Sequence, residues 1–259
     1  MNNCGRPHSW QIRSQVSDLR ERSAADTWSM EFDYFAPAAE AVIRRSQKAG
    51  VQMDFALLRH EVGPSEDDLH RDALIRAVRR FGKSEDVAVS PQAVPMESIS
   101  IERFYGSTFD RDSRRVLIGD LWGLGGGGRW TPQPSIPPGE RTTPEDSWGP
   151  FRWADEPDSS QVVYIKKTLW QPGFAYSFLH PPPWDQIEME PADAQALFLS
   201  FDELVLRRPR VGAPVSYSQA DPIQAWAPYF EYKWAFHWAW VLRVDEKHLL
   251  VIVAAADYP

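Results

Sequence analysis

At 259 residues the chain has room for one large domain or two small ones, and its single cysteine, Cys4, excludes a disulfide framework or a cysteine-based zinc site. A composition of 43% hydrophobic and 25% charged residues excludes wholesale disorder, and the net charge of −8 makes phosphate backbones, hence nucleic acid, poor partners. The N-terminal MNNCGRPHSWQIRSQ lacks the apolar core of a secretory signal, and the longest apolar run, 249–256, is too short to cross a bilayer as a helix, so a soluble cytoplasmic protein without a membrane partner is expected.

In chain order, Ile12, Val16 and Leu19 recur at helix spacing and predict a thinly striped helix over 8–24. A second helix is predicted over 36–49, with Pro37 in its first turn and Gly50 as its C-terminal cap. Val51, Met53, Phe55 and Leu57 alternate and predict a strand over 51–62. The clearest helix is 65–81. Ser65 and Asp68 fit a capping box, Glu66 to Asp68 sit at the positive end of its dipole, and Arg76, Arg79 and Arg80 sit toward the negative end. Leu69, Leu74, Ala77, Val78 and Phe81 mark its buried side.

From residue 96 the texture changes. Strands at 98–105 and 114–122 around the polar turn 110–113 predict a hairpin, followed by the glycine run 125–128 and a Pro-, Gly- and acid-rich stretch over 131–160. A second hairpin is predicted from 161–170 and 174–180 around Gln-Pro-Gly, and then a helix over 191–206. The strongest strand signal is 231–243. Tyr232, Trp234, Phe236, Trp238, Trp240 and Leu242 line one apolar face, and Glu231, Lys233, His237, Ala239, Val241 and Arg243 line a mixed one. Residues 245–247 turn the chain into a well-buried strand at 248–256. Helices first and strands later predict a single α+β domain over 1–259. Its N-terminal helices (about 8–90) pack on a mainly antiparallel sheet (about 96–259), with one helix inserted between the later strands and a long loop at 123–160.

The glycine run is not a phosphate cradle. No lysine follows it, and Pro132, Pro134, Pro137 and Pro138 forbid the helix whose amides would bind the anion. His60, Glu61, Asp68, His70 and Asp72 invite a metal, but only 68 and 72 share a helix face, so a solvated helix start is expected, with no metal and no cofactor. Glu231 and His237 share a strand face and, with His180, offer a His/carboxylate arrangement for a hydrolase-type reading. No nucleophile is placed by any elbow pattern, and Cys4 lies at the terminus.

The twelve tryptophans divide by position. Trp234, Trp238 and Trp240 fall on the apolar strand face. Trp130, Trp148, Trp153 and Trp184 fall in Pro/Gly-rich sequence, where they are either pinned to the body or used for contact, or stack on sugars in a carbohydrate-binding module. Among them stand Glu145, Asp146, Asp155, Glu156 and Asp158. Aromatic anchors ringed by acid suit the capture of a basic protein, so Trp130, Trp148, Trp153 and these five acids form the predicted contact surface. In general type, being acidic, tryptophan-rich, α+β and without a catalytic motif, the chain resembles bacterial immunity proteins. That resemblance implies inhibition of a cognate toxin by direct binding. It rests on no family motif and carries no functional residue over.

Overall fold

The computed structural model describes residues 29–51, 53–61, 65–81, 96–119, 147–156, 161–169, 173–180, 187, 189–207, 217–220 and 236–256. The helix predicted at 8–24 and the glycine run 125–128 lie outside them. The described chain is an α+β structure built on two antiparallel sheets.

The larger sheet has six strands: β1 (Met30–Asp33), β2 (Met53–His60), β3 (Met96–Ile99), β8 (Tyr217–Ala220), β9 (Phe236–Arg243) and β10 (His248–Ala256). Their spatial order is β1-β2-β10-β9-β8-β3. Strand β10 is central, with Leu250 opposite Leu57 of β2 on one side and Leu242 of β9 on the other. Period two sends its side chains alternately to two cores. Leu250 and Ile252 join Trp240 and Leu242 in one core, and Leu249, Val251 and Val253 join Ala239 and Val241 in the other. The face of β9 that the sequence gives as mixed is therefore covered too.

Helix α2 (Glu66–Phe81) supplies that second core, burying Leu69, Ala73, Leu74, Ala77 and Val78 against the sheet. Its start is a side-chain cap. The Asp68 amide donates to Ser65 Oγ at 3.1 Å, and Ser65 Oγ donates to Asp68 Oδ2 at 2.6 Å. The Asp68 carboxylate thus grips the cap hydroxyl rather than the cap amide of the usual box. Helix α1 (Pro37–Lys48) ends as predicted, with Gly50 at φ 98° just past it.

On the opposite face, α1 packs on α5 (Pro191–Leu204), the inserted helix. Around them gather Phe104, Phe174, Phe178, Phe198, Phe201 and Trp240, all fully buried. The Phe104 and Phe174 rings stack at 5.3 Å, and Trp240 meets each edge-on. The smaller sheet, in the order β4-β5-β6-β7, joins this layer: β4 (Phe109–Asp110), β5 (Arg115–Ile118), β6 (Ser147–Trp153) and β7 (Val163–Lys166).

Three predicted elements differ. The strand expected over 98–105 stops at Ile99. Ser100 Oγ accepts the Arg103 amide at 3.2 Å and starts the short helix α3 (Ile101–Tyr105), which buries Phe104 and Tyr105 together. The second hairpin is replaced by helix α4 (Phe174–Leu179), because Phe174, Ala175, Phe178 and Leu179 fit a helical stripe rather than an alternation. Within the stretch read as a loop, β6 pairs β5 on one side and β7 on the other.

Gly173 lets α4 meet α3. A Cβ there would lie 2.4 Å from the Gly106 amide nitrogen and 2.6 Å from the Phe104 carbonyl oxygen, both backbone atoms. Gly173→Ala is expected to cost about 1–3 kcal/mol, read as a lower urea midpoint at unchanged slope. An unshifted midpoint would show that the two helices do not touch there.

Candidate functional site

The smaller sheet carries the described part of the predicted contact surface. Leu117 of β5 pairs with Trp153 of β6, and Arg115 lies two residues before Leu117 on the same face. Its guanidinium sits 4.7 Å from the centre of the Trp153 ring. Arg115 Nε donates to Asp155 at 2.9 Å, Nη2 donates to Asp155 Oδ1 at 2.7 Å, and Nη2 lies 3.0 Å from Glu156 Oε1. A tight turn, with the Glu156 amide on the Trp153 carbonyl at 3.0 Å, brings the two acids back to the guanidinium. Two carboxylates and an indole thus enclose one guanidinium, and the acids keep 40% and 54% of their side chains exposed.

Of the eight predicted contact residues, Trp153, Asp155 and Glu156 are brought together. Trp148 lies in β6 opposite Ile165. Trp130, Glu145, Asp146 and Asp158 lie outside the described residues, as do Trp184 and Glu231. His237 is in β9, opposite Ala255 of β10.

The histidines serve as ties between elements. His180, at the end of α4, accepts the Gly119 amide on Nε2 at 3.0 Å and stacks on Tyr176 at 4.6 Å. Burial pulls its pKa down to about 4, so the ring is neutral. A ring whose Nε2 lone pair holds a backbone amide is not placed to take a proton from a substrate. His60, which closes β2, has Nδ1 2.9 Å from the Glu61 carbonyl and Nε2 3.3 Å from Arg243 Nη1, so Nδ1 carries the hydrogen and Nε2 accepts. Arg243 in turn donates to Glu66 Oε1 at 3.1 Å, tying β9 to the start of α2. His70, fully buried, faces Glu66 at 3.9 Å, and desolvation pulls its pKa down to about 4. No metal-binding cluster occurs among the described residues.

Two polar constellations are not visible in the sequence. Asp202, buried in α5, accepts the Tyr105 hydroxyl and Arg114 Nη1, the latter at 3.3 Å. Burial raises its pKa against the pull of Tyr105 and Arg114. Arg114 holds a left-handed backbone, φ 58°, in the turn between β4 and β5, where Asp110 accepts the Asp112 and Ser113 amides. The second is a histidine between two carboxylates. His248 Nε2 lies 3.0 Å from Asp33 Oδ2, and Nδ1 lies 2.8 Å from Asp245 Oδ1. These partners stand 97, 88 and 215 positions apart for the Tyr105, Arg114 and Asp33 contacts, so no local spacing announces them.

Compared with known proteins, the chain matches no protein-family model, no curated protein and no solved structure. No described helix is long and apolar enough to cross a membrane.

The two buried neutral histidines set an acid limit. For both His70 and His180 the folded pKa of about 4 lies below the ordinary 6.5, so the unfolded chain binds protons first as pH falls. Their contribution to stability is full above about pH 6.5 and is lost as pH drops toward about 4. Urea midpoints are expected to fall across that window, and to fall less steeply in His180→Gln. An equal slope in the variant would refute a neutral His180.

Proposed function

We propose that this chain is a non-catalytic binding protein that captures a partner with a basic surface, inhibiting it by occlusion as immunity proteins do. The observation that carries this reading is the arrangement of Trp153, Asp155 and Glu156 around a guanidinium. An indole face with two carboxylates at its rim is what an arginine of a partner protein requires, and here the end of β6 and the turn after it hold these groups together. Arg115 pairs with both acids and offsets one of their two charges, leaving the cluster net negative. The acids of the preceding stretch, Glu145 and Asp146, extend the same charge in sequence. The net charge of −8 would steer a basic partner toward it.

The test is capture of a partner from the native cell at low salt, followed by affinity measurement with the purified pair, the product of the adjacent gene being the first protein to try. Trp153→Ala is expected to weaken binding about 30-fold, as for an interface anchor, and raised salt is expected to slow association. A deletion of 129–146, which spares β6, should also weaken binding. Full affinity in both variants would contradict the proposed surface.

A further inference from the structure

We infer that His248 is a pH-sensitive clasp for the edge strand β1: doubly protonated, it joins Asp33 to Asp245, and on losing one proton it releases Asp33. The geometry carries this. His248 opens β10 opposite Arg59 of β2, and its ring lies between the end of β1 and the β9–β10 turn. Nε2 is 3.0 Å from Asp33 Oδ2, and Nδ1 is 2.8 and 2.9 Å from the two oxygens of Asp245. A carboxylate only accepts, so both ring nitrogens must donate, and only the imidazolium has two N–H groups. A neutral ring would press a lone pair against one carboxylate.

Both acids are held in the ionised form. The Tyr34 amide, against some burial and with help from His248, lowers the Asp33 pKa. Burial pushes Asp245 up, but the Lys247 amide, His248 and Arg207 together bring it below the ordinary range.

The charged groups around the ring decide which bond yields. From β1 come Asp33 and Glu31, the latter paired with Arg59 of β2 at 3.4 Å. The β9–β10 turn presents Asp245 and Lys247, and the segment after α5 presents Arg207. Asp245 keeps two donors without the histidine: Arg207 Nη1 at 2.7 Å and the Lys247 amide at 2.9 Å. Asp33 keeps the Tyr34 amide, at 2.8 Å, which comes from its own strand end and ties β1 to nothing else. Deprotonation therefore leaves the neutral ring donating to Asp245 and frees Asp33. Strand β1 is only four residues long, lies at the sheet edge, and is otherwise held by its ladder to β2, by Met30 buried in the α2 core, by the Glu31–Arg59 pair, by Arg76 on the Met30 carbonyl at 3.3 Å and by Arg80 over the Phe32 ring. Its release would uncover the hydrogen-bonding edge of β2.

The test is amide hydrogen exchange of the full chain by NMR, from about pH 5 to about pH 8. Rates are divided by the intrinsic base-catalysed rate. Protection of the β1 amides is expected to fall about tenfold or more as pH rises, while the β10 amides hold theirs. His248→Gln should show the low β1 protection at both ends. Asp33→Asn, which removes the charge that needs the imidazolium, should fold normally and give a flat profile. Equal β1 protection at both pH values in the wild-type chain, or an undiminished fall in Asp33→Asn, would overturn the clasp.

Discussion

Over Leu249–Val253, strand β10 has no solvent face. Its odd-numbered core residues, Leu249, Val251 and Val253, need one apolar layer, and its even-numbered ones, Leu250 and Ile252, need another. A sheet with two buried faces must be covered on both, and the remaining architecture follows from that requirement. Helix α2 covers one side with a stripe of leucine, alanine and valine. The other side is larger, because Trp240 and Leu242 project from β9 there, and it is filled by α1, α5 and the phenylalanines of α3, α4 and α5.

The outer elements are then tied to this centre by polar contacts between chain-distant residues. Arg243 joins β9 to the start of α2 through Glu66 and to β2 through His60. His180 joins the end of α4 to Gly119, just beyond β5. Asp202 joins α5 to α3 and to the β4–β5 turn. His248 joins β1 to the β9–β10 turn. Each tie places a charged or hydrogen-bonding group where it is partly or wholly screened from water, so loss of one partner leaves the other unsatisfied. These titratable groups thus hold layers together. Trp153, half-buried, stands with the more exposed Asp155 and Glu156 and gives the smaller sheet its part in the proposed binding.

Much of this was legible in the chain because its periodicities are strong. The alternation through β9, the unbroken apolar run of β10 and the stripe and cap of α2 each encode their own burial, and the α+β class follows from their order. What was not legible has physical causes. Residues 174–179 fit both periods: Phe174, Tyr176 and Phe178 alternate as in a strand, while Phe174, Ala175, Phe178 and Leu179 make the helical stripe that the core buries. Ser100 reads as one more strand residue until its hydroxyl caps the Arg103 amide. Strand β6 is interrupted by Gly149 and Pro150 and carries a register shift between Trp148 and Phe151, so its sequence resembles the loop around it. Of the predicted contact residues, Trp153, Asp155 and Glu156 stand together because β6 ends in a turn. The guanidinium they enclose comes from Arg115, whose contribution no local spacing reveals.

If the doubly buried hairpin is the constraint on which the fold depends, its amides can exchange with solvent only when the whole molecule opens. Native-state hydrogen exchange, compared with the unfolding free energy from urea, measures this directly. The hydrogen-bonded amides of 249–253 and 239–242 are expected to exchange at the free energy of global unfolding, with no described element outlasting them. Exchange of those amides through a smaller opening, with the β5–β6 pair still protected, would contradict it.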